Sequence, residues 1–220
     1  MDVSMLILED QRGEVNYPNP VQGRVCHIDA DLTAYQVSAE TKDELSGIKP
    51  RKRLEDMKYN AERSLIHLMR ITGSTSYVAH ITPPASNKGG RYEIALTKEY
   101  QGNRKDKESP EHLGTIRAYI GEELPSVISL DCEADDSLCM AAYNAPDRNL
   151  CVIVSRDKDL RMVDGLHWCY DEEMVIDADG FGSIWVDRTK KTAKLKGWGT
   201  SWFWAQLLMG DTADNIAGLP

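Results

Sequence analysis

The chain lacks features that would place it in several familiar functional classes. No apolar run approaches the roughly 20 residues that a membrane-spanning helix needs, so no membrane association is expected. The five cysteines form no CxxC pair, and Cys26, Cys132 and Cys151 lie in or beside apolar, strand-like runs. Buried, reduced thiols are therefore expected, and reduced thiols predict a cytoplasmic protein.

A positive net charge is also missing. The formal net charge of -9 argues against a general binder of polyanions, whose surface is usually basic. Basic residues nevertheless cluster at 49–53, 104–107 and 188–196, and bound metal ions would neutralise part of the acidic charge. Because a local basic face is enough to hold a phosphate backbone, the net charge does not exclude a nucleic-acid substrate.

The most informative residues are acidic and fall in four short clusters. Three of the clusters directly follow predicted strands, and carboxylates gathered at one sheet edge would repel one another unless divalent cations neutralised them. Oxygen ligands without histidine or cysteine suit Mg²⁺ or Mn²⁺, which predicts metal-dependent phosphodiester chemistry. The clusters comprise Asp29 and Asp31; Glu133, Asp135 and Asp136; Asp157 and Asp159; and Asp211 and Asp214.

The pattern of apolar residues predicts an α/β fold with a central, mostly parallel, twisted sheet and helices on both faces. Ligands of such sheets gather beyond the carboxyl ends of the strands, where the acidic clusters are expected. The predicted strands are 24–28, 76–81, 126–130 and 150–154, a hairpin strand at 92–96 and small strands within 166–187; the predicted helices are 51–71, 109–124, 133–143 and 200–208.

The order of the motifs resembles the 5′-nuclease superfamily, which includes flap endonucleases and phage 5′→3′ exonucleases. The resemblance covers residues 24–220, and the YQGNR motif with the short layout is most similar to the exonucleases of small lytic phages. It implies a PIN-like 5′-nuclease core. The matching motifs are IDAD at 28–31, YQGNR at 100–104, EADD at 133–136, SRDKD at 155–159 and GDTADNIAGLP at 210–220.

This resemblance implies hydrolysis of DNA phosphodiester bonds with two Mg²⁺ or Mn²⁺ ions, by 5′→3′ exonuclease or flap endonuclease action. Asp29 and Arg104 would be catalytic, and Tyr100, Gln101, Arg104 and Lys105 would bind the substrate. The metal ligands would be Asp29, Glu133, Asp135 and Asp136 for one ion, and Asp157, Asp159, Asp211 and Asp214 for the other.

The implied partner is DNA with a 5′ end, as duplex or flap, and RNA–DNA hybrids stay open as substrates. A monomer is favoured. Residues 1–22 would be a lead-in, 23–209 the catalytic core, and 210–220 the start of a C-terminal DNA-binding helical element. Since the chain ends where that helix–turn–helix-like element would begin, a truncated piece is expected.

The sequence departs from the family pattern at two places. Gln101 stands where members often have lysine, and Lys105 or Lys107 is a candidate to replace that charge. Many members also carry an aspartate after the second strand, where this chain has His80 and Thr82. The first metal ion is therefore expected to have one ligand fewer.

Several nearby residues have simpler structural interpretations. Asp31 is expected to point away from Asp29, because alternate residues of a strand face opposite sides. Asp131, Ser109 and Thr200 are expected to be helix N-caps.

The histidines and the aromatic residues near the C-terminus also have structural interpretations. His27 is expected in the core, and for His80 core packing and site lining are equally weighted. For the aromatic run a helix face packed under the acidic site is favoured over stacking of Trp198 on DNA, and a phosphate-binding role is slightly favoured for the lysines. The run comprises Trp198, Trp202, Phe203 and Trp204; the lysines are Lys190, Lys191, Lys194 and Lys196.

Three alternatives stay open. The DADLT sequence at 29–33 fits the nucleophile loop of haloacid-dehalogenase-type phosphatases, in which Asp29 would attack phosphate and Asp31 would act as acid and base. A PIN-type RNase would share the acidic cluster. A third alternative is a protein that binds metal ions or DNA ends without efficient cleavage.

Overall fold

The computed structural model describes residues 17–40, 51–94, 100, 108–189, 192–211 and 216–219. The strands of the central sheet are β1 (Val25–Asp29), β2 (Ser76–Ile81), β3 (Ser126–Ile128), β4 (Cys151–Val154), β5 (Gly165–Cys169) and β6 (Met174–Ala178). They lie in the order β3-β2-β1-β4-β5-β6. The first five strands in that order are parallel, and β6 pairs antiparallel with β5.

Helices cover both faces of this sheet, which confirms the predicted fold class. The helices are α1 (Ala30–Ser38), α2 (Leu54–Ile71), α3 (Arg91–Ile94), α4 (Leu113–Glu123), α5 (Ala134–Asn144) and α6 (Gly199–Met209). Helices α1, α2 and α4 pack against the face of β1 that carries Cys26 and Ile28, and α5 packs on the other face. All four residues of β4 are buried, as expected of a parallel strand covered on both sides.

A smaller antiparallel hairpin of β7 (Ser183–Asp187) and β8 (Lys194–Trp198) packs against α6. Two short strands, β9 (Gly210–Asp211) and β10 (Ile216–Ala217), pair after α6. Within the described residues, no helix has the length and apolar character needed to cross a membrane.

The structure corrects several predicted elements. Residues Arg91–Ile94 form a short helix where a hairpin strand was predicted, and the helix α1 was not predicted at all. α4 begins at Leu113, so Ser109 is too far upstream to cap it. Residues 95–99 lie outside the described part of the chain.

The other two predicted N-caps are also wrong. Glu133 caps α5, because its carboxylate reaches the backbone of the first turn and Asp131 lies two residues too early. Trp198 occupies the cap position of α6 without a side-chain bond, and the Thr200 hydroxyl donates to the Gly180 carbonyl instead.

The cysteine thiols are free, as predicted. Cys26 and Cys151 are buried, and burial raises the pKa of the Cys26 thiol to about 12. Cys132 was expected to be buried but is only half-buried, since the strand β3 ends at Ile128 and Cys132 lies in the loop before α5.

Candidate active site

The parallel strands bring three of the four acidic clusters to one edge of the sheet. A cavity of about 850 Å³ opens there, beyond the carboxyl ends of β1 and β4. It is lined by seven carboxylates from separate parts of the chain: Asp29, Asp31, Glu133, Asp135, Asp136, Asp157 and Asp159.

Asp29 ends β1 and caps α1. One carboxylate oxygen accepts a hydrogen bond from the Leu32 amide at 3.5 Å, and the other accepts from the Ser155 hydroxyl at 2.9 Å. Burial raises the pKa of Asp29 to about 6, and the charge of Asp31 adds to the shift. The side chain is thus fixed at the base of the cavity by its own strand–helix junction.

The carboxyl group of Asp135 has a strongly raised pKa. Burial, together with the negative charges of Asp29, Asp157 and Glu133, raises this pKa to about 8. Among the described residues, no lysine or arginine forms an ion pair with Asp135, in contrast to Glu133 and Asp136. Its ionised form at neutral pH therefore calls for a cation from outside the protein.

Glu133 and Asp136 form a capping box at the start of α5, in which each side chain binds the other residue's backbone amide. Arg91 Nη1 donates a hydrogen bond to Glu133 Oε2 at 2.8 Å. Its Nη1 and Nη2 atoms also donate hydrogen bonds to the two carboxylate oxygens of Asp136, at 3.0 and 2.9 Å. The Tyr100 hydroxyl donates to the same Glu133 oxygen at 2.7 Å. Burial opposes ionisation of Asp136, but hydrogen bonds from Arg91 and from the Glu133 amide leave its pKa below the usual value.

Asp157 and Asp159 follow β4 in a tight turn. Asp157 Oδ1 accepts a hydrogen bond from the Asp159 amide at 2.8 Å, and the Asp157 amide donates to the Ser155 hydroxyl at 3.0 Å. Lys158 Nζ lies 2.9 Å from Asp159 Oδ1 and 2.7 Å from the side-chain oxygen of Gln206. These bonds tie the turn to the end of β4 and to α6.

Asp31 lines the same cavity as Asp29, so the expectation that it points away is wrong. The strand ends at Asp29, and Asp31 belongs to the first turn of α1, where strand alternation no longer applies. Its carboxylate accepts from the Thr82 amide at 3.2 Å and pairs with Arg117 Nε at 2.9 Å.

His80 belongs to the core and does not line the cavity. Its side chain is buried between His27, whose Nδ1 lies 3.0 Å from His80 Nε2, and Ser137, whose hydroxyl lies 2.6 Å from His80 Nδ1. Thr82 accepts a hydrogen bond from the Ala134 amide at 2.8 Å through its hydroxyl. Both residues therefore join β2 to the start of α5, which carries the acidic cluster.

The aromatic run was only partly interpreted correctly. Trp202 is buried and its indole donates to the Lys158 carbonyl at 2.8 Å, next to the acidic turn. Trp198 packs against His167 and Arg161. Phe203 and Trp204 are exposed, because apolar residues surround α6 on all sides and only one side can face the turn.

Four predicted site residues lie outside the described part of the chain: Gln101, Arg104, Lys105 and Asp214. The backbone of Asp211 is described in β9, but its side chain is not. The lysines at 190 and 191 also lie outside, and of the other two Lys196 pairs with Asp171 and Asp187 at 2.7 and 2.9 Å. The roles of these residues stay predictions.

Sequence reasoning missed three cationic residues of the site, namely Lys88, Arg91 and Arg117, which line the cavity with the carboxylates. Lys88 and Arg91 follow β2, whose carboxyl end lies beside those of β1 and β3. That position was a usable signal, because a cation after a central parallel strand lies at the same edge as the acids. Arg117 lies within α4, and no local pattern distinguishes it.

The chemistry of the cavity fits a hard divalent cation. Its donors are carboxylate oxygens, and the buried Asp135 would gain a counter-charge from such an ion. In the part of the chain that the structure describes, no three acidic, histidine or cysteine side chains form a preformed metal cage.

The fold places the chain in a structural class. It is a mixed α/β protein with a mostly parallel six-stranded sheet and helices on both faces. One solved structure with a similar fold is that of the D15 protein of T5, co-crystallized with metal ions. The TM-score is 0.54 at 12% sequence identity, over 89% of this chain and 69% of that one.

No family model matches the chain, and no curated protein matches it. At so low an identity, the likeness to the D15 protein establishes the fold and leaves the activity to the geometry of the site.

Proposed function

We propose that the protein is a Mg²⁺- or Mn²⁺-dependent 5′-nuclease that hydrolyses phosphodiester bonds of DNA at or near a 5′ end. The observation that carries the proposal is the meeting of seven carboxylates in one cavity at the carboxyl edge of a parallel sheet. The order of the sequence motifs and the shared fold with a protein crystallized with metal ions support it.

The chain's own residues have distinct parts in this proposal. Asp29 and Asp135 at the base of the cavity would bind a divalent ion, since neither has a cationic partner among the described residues. Bound ions would activate water and stabilise the leaving oxygen of the scissile phosphate. The other proposed ligands are Glu133, Asp136, Asp157, Asp159, Asp211 and Asp214.

The mouth of the cavity would hold the nucleic acid. Lys88 and Arg117 line the cavity and carry positive charge, and the lining residues Tyr92 and Tyr100 lie with ring centroids 5.5 Å apart. Aromatic rings of this kind can stack on bases, and the cations can take phosphates. Gln101, Arg104 and Lys105 would extend this surface.

The remaining expectations belong to the same proposal. We infer two metal ions, a monomer and a cytoplasmic location, with residues 23–209 as the catalytic core. The phosphatase alternative is less well supported, because Asp31, its acid and base, is held by Arg117 and by the Thr82 amide.

The first test compares two neighbouring acids. In Asp135→Asn a ligand of the proposed metal site is lost, and cleavage of a 5′-labelled duplex or flap with Mg²⁺ is expected to fall by about 100-fold or more. Asp131→Asn is the matched control, because Asp131 lies outside the cavity and its side chain contacts Asn87 at 3.5 Å. The control is expected to cleave at the wild-type rate.

Two results would contradict the proposal. One is wild-type protein that leaves DNA intact with either metal yet hydrolyses small phosphate esters, which would favour the phosphatase. The other is an Asp135→Asn variant that cleaves as fast as the Asp131→Asn variant.

A further inference from the structure

The cations of the cavity divide its carboxylates into two groups. Glu133 and Asp136 share the guanidinium of Arg91, and Asp31 pairs with Arg117. Asp29 and Asp135 have no lysine or arginine partner among the described residues. A divalent cation therefore meets carboxylates without a described cationic partner at Asp29 and Asp135, and a resident cation at the start of α5.

Arg91 forms short hydrogen bonds to both Glu133 and Asp136. It makes a two-point contact with Asp136 and a third bond to Glu133, all between 2.8 and 3.0 Å. The Tyr100 hydroxyl takes the same Glu133 oxygen, and Lys88 Nζ lies 3.7 Å from the other. Both oxygens of Glu133 thus have positively polarised partners, and the hydrogen bonds to Asp136 raise the pKa of the guanidinium.

The backbone immediately before Arg91 is left-handed. Lys88, Gly89 and Gly90 have φ values of +52°, +67° and +70°, which is a rare run of left-handed backbone. A Cβ atom at Gly90 would meet nothing within 4 Å, so packing does not require glycine there. Glycine adopts these φ values without steric cost, so the two glycines give the backbone before Arg91 conformational freedom.

We propose that Arg91 is the resident counter-ion of Glu133 and Asp136, and that a divalent cation displaces it before Glu133 can become a metal ligand. The two cations repel each other and compete for the same oxygen, so they do not share it. The displaced guanidinium, whose planar fork matches phosphate, would then bind a phosphate group of the nucleic acid. This inference rests on the proposed metal-dependent function.

The test measures metal binding without nucleic acid. Isothermal titration calorimetry with Mg²⁺ is expected to show about fivefold tighter binding to Arg91→Gln than to the wild type, because the competing cation is gone. Arg148→Gln is the matched control. Arg148 also bridges two carboxylates, Asp164 and Asp177, but it lies outside the cavity, and its loss is expected to leave the affinity unchanged.

A second variant keeps the proposal testable if Arg91→Gln fails to fold. Arg91→Lys retains the charge but loses the fork, and its Mg²⁺ affinity is expected to lie between those of the wild type and Arg91→Gln. If the variant that folds binds Mg²⁺ with an affinity equal to or weaker than that of the wild type, the proposed displacement of Arg91 by the metal ion is overturned.

A separate measurement tests whether the displaced Arg91 binds a phosphate group of the nucleic acid. In Ca²⁺, Arg91→Gln is expected to bind a 5′-phosphorylated DNA duplex about fivefold more weakly than Arg148→Gln does. Equal DNA affinities would overturn this phosphate-binding role. A wild type that binds no Mg²⁺ would overturn the proposed function as well. If the wild type binds Mg²⁺ and cleaves DNA but the Arg91 variants do not behave as expected, only the proposed role of Arg91 is overturned.

Discussion

At the scale of single residues, the charge of the cavity is the dominant feature. Asp29 and Asp135 have raised pKa values because burial removes water from carboxylates that already repel each other. An acid whose pKa is raised in the folded state binds more protons folded than unfolded, so the fold loses stability as pH rises between the two pKa values. For Asp135 this interval runs from its ordinary value of 3.8 to about 8.

The residue-scale prediction concerns stability against pH. In EDTA, the free energy of unfolding of the wild type is expected to fall from pH 5 to pH 8 by about 2 kcal/mol or more. Asp135→Asn removes the carboxyl group whose pKa is raised to about 8, so the stability curve of this variant is expected to be nearly flat between pH 6 and 8. Urea denaturation at each pH provides the measurement.

Asp131→Asn, in the loop before α5 and outside the cavity, is the control for this prediction and is expected to keep the wild-type slope. A wild type whose stability is independent of pH over this range would show that Asp135 is not the strained carboxyl that its surroundings indicate.

At the scale of elements, α5 is held to the sheet by polar contacts as well as by apolar packing. Leu138 packs on Ile153, while the buried Ser137 hydroxyl meets His80, which in turn meets His27 of β1. Burial lowers the pKa of His80 to about 4. The neutral imidazole therefore fixes the position of the helix whose first turn carries the acids.

The element-scale prediction removes one member of this chain of contacts. Ser137→Ala leaves His80 Nδ1 buried without its hydroxyl partner, which is expected to lower the free energy of unfolding by about 1–3 kcal/mol. Chemical denaturation at pH 7 is the measurement, with Ser183→Ala, an exposed change in β7, as the control. If Ser137→Ala lowers the free energy of unfolding no more than the control does, apolar packing alone positions α5.

At the scale of the whole molecule, the fold gathers acids that are distant in sequence and carry charge that the protein only partly neutralises. Asp29 and Ser155 are in hydrogen-bond contact although 126 residues separate them. A ligand that binds only the folded chain raises its stability by mass action. Divalent cations are therefore expected to stabilise the entire fold as well as the site.

The whole-molecule prediction is a metal-dependent melting temperature. Mg²⁺ at about 100 times its dissociation constant is expected to raise the free energy of unfolding by about 2.7 kcal/mol, and EDTA is expected to reverse the effect. The rise in Tm should be larger at pH 8 than at pH 5, where protons compete for the same carboxylates. Equal melting curves with Mg²⁺ and with EDTA would argue against a metal site.

The sequence predicted the elements whose signal is local. The run of residues at 151–154 is apolar throughout because the strand is covered on both faces, and the period of three and four in α2 reflects a single buried side. The short helix α1 was missed because its residues have no clear apolar stripe. The roles of the acidic side chains stay predictions, although seven of them do line one cavity.

By itself the sequence determined which residues are acidic, which runs are apolar and in what order they follow, and these suffice for a parallel α/β sheet. Only the tertiary structure decided how the charges pair. Asp31 turned towards the cavity because a helix begins at Ala30, and Arg91 reached Glu133 and Asp136 from 42 and 45 residues away. Such pairings depend on the distance between side chains in space, which no local pattern of residues records.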